Sequence, residues 1–317
     1  MKYIKNNFII NLNFEILSII QSVALKDAMW INYSQVLYIN MLKSELDFNC
    51  KEVKGLIDYF DKNNLAFHLL PQIVATMDNN YNIDIDYLKE QGLDVKNLEE
   101  FEKLVKELNL GIDINKIYIK YKDFYMSKLN EIIEFLKNVK LDIIYDFYGY
   151  KIGEINLVIS FLSGNFGIKY KNDLYCYKSF KLDVNNNVIL KKSIIPFLFH
   201  EFSHPYIHEI VSKYIDKLVF LDDHYNSIYV NNTNFFPYQN KKGLFEEILV
   251  RANEMYLSKK YMSEDSMNIY IKKQLNMNIY YFKELVNLIE NKFKNYINYE
   301  QFFVQEIIPF YKLKFIK

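Results

Sequence analysis

The chain has 317 residues, of which half are apolar and a quarter are charged, a balance typical of a globular protein with a substantial core. Lysine plus arginine and aspartate plus glutamate number 39 each, so the formal net charge is zero, which argues against a phosphate-tracking nucleic-acid binder. Two cysteines cannot form a disulfide framework in a chain of this length. We find no secretion signal and no run of about 18 uncharged apolar residues, and therefore expect a cytoplasmic protein without a membrane span.

The first 140 residues predict a helical region. Apolar residues recur at helical spacing between Phe14 and Ile20, and Asn13 can cap the helix that they form. Similar periodicity predicts further helices over 51–62, 98–110 and 120–138.

The pattern changes near residue 141. Three short runs, rich in β-branched and aromatic residues, predict the strands of a small antiparallel sheet within 141–190: 141–150, 154–164 and 174–184. Helix is expected to return after Ser193, a suitable N-cap. The Asn-rich stretch 221–242 predicts a loop, followed by a helix over 243–261 and two or three more within 265–316. The predicted class is α+β and predominantly helical.

The motif that carries chemistry is the H-E-x-x-H of residues 200–204. Residues four apart lie on the same face of a helix, so His200 and His204 can both reach one Zn²⁺. Glu201 follows the first ligand and can reach a water molecule at the metal. The chain has only five histidines, and the odds of such a motif arising by chance are roughly one in two hundred. The competing interpretation is a helix with two half-exposed histidines and a solvated glutamate.

A catalytic zinc needs a third protein ligand and one open position. Glu246 and Glu247, on the helix predicted over 243–261, are both candidates, and we favour Glu247 because Arg251 lies one turn later and could hydrogen-bond its carboxylate. The alternative for this pair is an ordinary surface ion pair. His208 lies eight residues after His200, about 80° around an ideal helix, so we do not expect it to be a ligand.

Pro205 follows the second histidine directly. It removes an N–H, crowds the carbonyl of Glu201 and biases His204 away from helical geometry. The helix is therefore expected to kink or end at this point, which could turn His204 away from the metal.

With HEFSH at 200–204, the chain resembles a family of uncharacterised bacterial zinc metallopeptidase-like proteins related to the gluzincins. Other segments that share this resemblance are NFEILSIIQSVA, IDYFDKNNLAFH, SFLSGNFG and EILVRA, which together extend it over most of the chain. The resemblance implies a helical region over 1–140 and a zincin-like catalytic region over 141–317, with the small sheet beside the HExxH helix. It implies Zn²⁺ held by His200, His204 and Glu247, with Glu201 as the catalytic base. Within this resemblance, 157–167 is similar to the edge strand that pairs with extended substrate in gluzincins. The alternative is that 157–167 is an ordinary core strand.

These observations predict a zinc metallopeptidase that acts on a peptide or protein. Candidates for a donor that stabilises the oxyanion lie between the ligands in sequence: His224, Tyr225, Tyr229 and Tyr238. For His68 we predict a core or capping role. The alternatives are a metal-binding protein without turnover, a helical interaction module without metal, and a metal-dependent hydrolase of non-peptide amides.

Overall fold

The computed structural model describes residues 2–25, 36–65, 69–93, 97–229 and 240–316. His68 and Tyr238 lie outside these ranges, as does the side chain of Tyr229. The chain forms two compact units, one from Met1–Asn138 and Glu154–Leu190, the other from Val139–Gly153 and Lys191–Lys317. We expected one boundary at residue 140, whereas the two units alternate along the sequence.

The first unit combines helices with a sheet. Its strands are β1 (Lys2–Lys5), β2 (Phe8–Asn11), β3 (Ile155–Ser160), β4 (Phe166–Tyr170), β5 (Asp173–Ser179), β6 (Lys181–Leu182) and β7 (Val188–Ile189). Its helices are α1 (Leu12–Ala24), α2 (Val36–Lys43), α3 (Lys51–Asn63), α4 (Leu69–Thr76), α5 (Ile85–Glu90), α6 (Leu98–Gly111), α7 (Ile114–Lys120) and α8 (Lys122–Leu136). The helices predicted over 51–62 and 98–110 are therefore present, and 120–138 contains α8.

The larger sheet is mixed, not antiparallel as predicted. Its strand order is β1-β2-β3-β5-β4, in which β3 runs parallel to both neighbours and the two outer pairs are antiparallel. Strand β3 is thus a central strand. The prediction that 157–167 forms an edge strand able to pair with substrate is therefore wrong for β3. Five of its six residues are buried, as is usual for a strand covered on both faces.

Helix α1 begins earlier than predicted. Its N-cap is Asn11, whose side-chain oxygen accepts hydrogen bonds from the backbone N–H groups of Asn13 and Phe14 at 3.2 and 3.4 Å. The predicted cap, Asn13, lies inside the helix. The apolar residues from Phe14 to Ile20 are buried, together with Glu15.

The second unit is built from helices in the part of the chain that is described. They are α9 (Ile143–Tyr148), α10 (Ile194–Lys213), α11 (Leu221–Tyr229), α12 (Lys241–Ser258), α13 (Glu264–Asn276), α14 (Phe282–Lys292), α15 (Tyr299–Phe302) and α16 (Ile308–Phe315). Short 3₁₀ turns at Ile215–Lys217, Lys259–Tyr261 and Phe293–Asn295 and a π turn at Phe303–Ile307 connect some of them.

Two predictions for this unit are wrong. The run 141–150 forms α9, a single helical segment that ends at Gly149 with a φ of 84°, and not a strand. The first half of the predicted loop 221–242 forms α11. Both helices are too short to show a clear helical periodicity, and their aromatic residues are also common in strands. The sequence pattern therefore did not identify them as helices.

The centre of the second unit is the antiparallel pair α10 and α12. Their direction follows from side-chain contacts that join His200 to Glu254 and Ser212 to Lys242. Helix α9 packs against this pair, where Tyr148 stacks on Tyr206 with ring centroids 4.3 Å apart and accepts a hydrogen bond from Asn253 at 3.0 Å. Among the described helices, none is both long and apolar enough to cross a membrane.

Candidate metal centre

His200 and His204 converge on helix α10. The helix continues from Ile194 to Lys213 with Pro205 inside it, so it does not end at the proline. The Nε2 atoms of the two histidines lie 3.1 Å apart. The missing N–H of Pro205 therefore costs the helix a hydrogen bond without separating the two imidazoles.

Glu247 approaches the two histidines from helix α12. Its Oε2 atom lies 3.6 Å from Nε2 of His200 and 3.7 Å from Nε2 of His204. The carboxylate is almost fully buried, and Oε2 has no hydrogen-bond partner among the described residues. A buried carboxylate oxygen without a partner is costly, so its position between two imidazoles points to an ion that would satisfy it.

The separations of these three atoms fit a divalent metal ion. A triangle with sides of 3.1, 3.6 and 3.7 Å has a circumscribed circle of radius about 2.0 Å, close to the zinc–nitrogen and zinc–carboxylate distances of about 2.0–2.2 Å. Two imidazole nitrogens and one carboxylate oxygen form a donor set that zinc accepts, and three protein ligands leave one position open. The residues His200, His204 and Glu247 therefore form a group that could hold a metal.

Arg251 fixes which oxygen of Glu247 faces the histidines. Its Nε donates a 2.6 Å hydrogen bond to Oε1 of Glu247, and its Nη1 donates to Oε1 of Gln274 at 3.0 Å. Burial alone would raise the pKa of Glu247, but the positive charges of His200 and Arg251 outweigh it and lower this pKa to about 2. Glu247 is thus an anion at neutral pH, as a metal ligand must be.

Glu254, which sequence reasoning did not identify, contacts the other ring nitrogen of His200. Its Oε2 lies 3.0 Å from Nδ1 of His200 and accepts a 2.7 Å hydrogen bond from the hydroxyl of Tyr270. The contact between Nδ1 of His200 and Glu254 orients the imidazole ring, so that the other ring nitrogen, Nε2, faces His204 and Glu247.

The two histidines have opposite pKa shifts. Burial works against the charged form of His200, but Glu254 and Glu247 raise its pKa to about 9. Burial and the charge of His200 lower the pKa of His204 to about 4. In the metal-free protein the pair therefore carries one positive charge at neutral pH, which a bound metal would replace.

The structure separates the two glutamates that the sequence left open. The carboxylate of Glu246 lies 3.3 Å from Nδ1 of His208 and 3.4 Å from Nζ of Lys242. The side chain of His208 is 65 % exposed and that of Glu246 is 15 % exposed, so Glu246 pairs with an exposed histidine although its own side chain is largely covered. Glu246 and His208 are therefore not part of the cluster formed by Glu247.

Glu201, the predicted base, is buried on α10 next to His200. Its charge contributes to the raised pKa of His200, which places its carboxylate within electrostatic reach of the cluster. Arg251 contacts a cluster carboxylate, as predicted for it.

His224 does not occupy the position expected of an oxyanion donor. It is fully buried among the rings of Phe245, Tyr281, Tyr311 and Phe315, and its Nε2 hydrogen-bonds the hydroxyl of Tyr281. Burial lowers its pKa to about 3, so it is a neutral core histidine. Its prediction as an oxyanion candidate is wrong because helix α11 turns it into an aromatic core.

Comparison of the chain with protein-family models, curated proteins and solved structures found no match. The resemblance to zinc metallopeptidase-like proteins therefore stays a prediction. The case for a function depends on the geometry of the cluster itself.

Proposed function

We propose that the protein is a zinc-dependent peptidase. The observation that carries this proposal is the buried Oε2 of Glu247, which has no hydrogen-bond partner in the described part of the chain and faces Nε2 of both His200 and His204. Glu201 adds a carboxylate next to the first histidine, in the order of the H-E-x-x-H motif.

His200, His204 and Glu247 would hold the metal. A zinc ion held there would supply Lewis acidity, which would lower the pKa of a water molecule toward neutrality and polarise the carbonyl group of a substrate. Glu201 accepts the proton of the attacking water and then delivers it to the nitrogen of the leaving amine. Arg251 and Glu254 keep Glu247 and His200 in position during both transfers.

Substrate would approach from the side of His204. Side-chain exposure rises from 3 % for Glu247 through 15 % for His200 to 32 % for His204, so the cluster is closed at its carboxylate and open at its second histidine. An open face beside a buried ligand set is the arrangement that a hydrolytic metal site needs.

The proposal is tested with the purified 317-residue chain and one equivalent of Zn²⁺. We expect stoichiometric zinc and cleavage of a mixed peptide library by the wild type, and the same zinc content without cleavage for Glu201→Gln. Glu209→Gln is the matched control, because Glu209 is an exposed glutamate of the same helix, and it should cleave like the wild type. Equal cleavage by Glu201→Gln and wild type would remove Glu201 from the mechanism.

A second candidate function is metal binding without peptide turnover. The observation that favours it is the central position of β3, which removes the edge strand expected to pair with substrate. In this case the wild type binds stoichiometric zinc but cleaves neither the peptide library nor a panel of small amides.

A further inference from the structure

Helix α13 docks in an unusual way for a helix of a globular unit. Within its residues, all of which are described, only Gln274 is fully buried. Ile269, an apolar residue of the same helix, is 70 % exposed. A surface helix normally buries an apolar stripe against the core, but Met267, Ile271 and Leu275 of α13 are only half-buried, so polar contacts add to a partial apolar packing in holding the helix in place.

The polar contacts of α13 lead instead to the metal cluster. Tyr270 and Gln274 lie one helical turn apart and therefore share a face. Tyr270 donates a 2.7 Å hydrogen bond to Oε2 of Glu254, and Gln274 accepts one of 3.0 Å from Nη1 of Arg251. Met277, just after the helix, places its sulfur 3.8 Å from the same Nη1 atom.

Each partner of α13 holds one of the candidate ligands. Glu254 contacts Nδ1 of His200 at 3.0 Å, and Arg251 donates to Oε1 of Glu247 at 2.6 Å. Two chains of hydrogen bonds thus connect one face of α13 to a histidine on α10 and a carboxylate on α12.

These chains restrict the groups that orient the ligands. Glu254 and Arg251 have long side chains with many rotamers, and each is held at two points, once by a ligand and once by α13. If α13 undocked, Glu254 and Arg251 would each lose one of these two contacts. Each side chain could then rotate away from the ligand that it orients. Conversely, an ion that fixes His200 and Glu247 also fixes Glu254 and Arg251, which are polar partners of α13.

We propose that α13 is a positioning element whose docking and the binding of the metal stabilise each other, with Tyr270 and Gln274 as the coupling residues. The proposal depends on the metal site of the proposed function but not on peptide hydrolysis. Coupling of this kind is reciprocal: the metal must strengthen the docking of α13 by the same factor by which docking strengthens metal binding.

The first test measures zinc affinity by competition with a chromophoric chelator, on the full chain. We expect Tyr270→Phe and Gln274→Met each to weaken zinc binding by about tenfold, the lower end of the usual range for outer contacts of a metal site. Tyr296→Phe is the matched control, because its hydroxyl also donates to a glutamate, Glu306 at 2.7 Å. Zinc affinity of Tyr296→Phe should equal that of the wild type.

The second test uses hydrogen exchange of the wild type and needs no variant to fold. Amides of 264–276 should exchange several-fold more slowly with one equivalent of Zn²⁺ than without it. Wild-type protein that binds no zinc would overturn the metal site itself. Zinc that binds with unchanged affinity in both variants, or without protecting α13, would overturn only the coupling.

Discussion

Arg251 holds Oε1 of Glu247 through a 2.6 Å hydrogen bond from Nε, and the other oxygen of the same carboxylate faces two imidazole nitrogens. Glu247 is therefore presented to a metal through a single atom. The contact also places a buried anion beside a permanent cation, so the carboxylate stays charged before any metal arrives.

Replacement of Arg251 should weaken both metal binding and stability. In Arg251→Met the buried charge of Glu247 loses a hydrogen bond and one of its two cationic partners but keeps His200, and the free energy of unfolding of the metal-free protein should fall by about 1–3 kcal/mol. Zinc should restore part of this loss, because the ion takes over the role of the cation. Thermal unfolding with and without zinc measures both effects, and Arg251→Lys, which keeps the charge, should show a smaller loss.

The adjacent glutamates of α12 allow a sharp test of the third ligand. Glu247→Gln should lower zinc affinity by at least about a hundredfold, because it removes a charged ligand atom rather than an orienting contact. Glu246→Gln should change the affinity by less than about threefold, because Glu246 contacts His208 and Lys242 at the surface. A larger effect of Glu246→Gln than of Glu247→Gln would reverse the assignment.

Glu15 should make the stability of the protein depend on pH. It is fully buried on α1, and burial raises its pKa to about 7, although hydrogen bonds from Tyr38 and from the backbone N–H of Phe161 partly offset this. The folded state therefore holds a proton that the unfolded chain releases above about pH 4.5. Stability from this group is complete below pH 4.5 and is lost as the pH rises to about 7, by about 3 kcal/mol in all.

The variant Glu15→Gln isolates this contribution. Urea unfolding at pH 5 and pH 8 should show a smaller loss of stability with rising pH for Glu15→Gln than for the wild type. Glu99→Gln, which changes an exposed glutamate of α6, should behave like the wild type. Parallel pH profiles for Glu15→Gln and the wild type would contradict the prediction.

His224 should have the opposite effect in acid. Its folded pKa, lowered by burial to about 3, lies below that of the unfolded chain near 6.5. The stability that it contributes is present above pH 6.5 and falls by roughly 1.4 kcal/mol for each unit of pH below that value. His224→Phe should therefore show a weaker loss of stability between pH 6.5 and pH 5 in urea unfolding, and should retain zinc at the wild-type level.

The sequence predicted the part of the site that depends on local geometry. The spacing of His200 and His204 requires only one helical turn, and α10 begins after Ser193 as predicted, although it does not end at Pro205. Arg251 lies one turn after Glu247, so this contact also follows from spacing along one helix.

Contacts between helices could not be predicted in this way. Glu254 reaches His200, and Tyr270 reaches Glu254, only because α10, α12 and α13 meet in space, which no spacing within one segment reveals. The two N-terminal strands were missed because the four-residue run Phe8–Asn11 is too short for its periodicity to distinguish strand from helix. Its parallel partner, β3, follows more than a hundred residues later.

Zinc binding by His200, His204 and Glu247 is tested most directly by the zinc-edge anomalous signal from crystals of protein loaded with one equivalent of Zn²⁺. We predict one peak, within about 2.0–2.2 Å of Nε2 of His200, Nε2 of His204 and Oε2 of Glu247. A crystal without a zinc peak, or a zinc ion bound by other side chains, would rule out this metal centre.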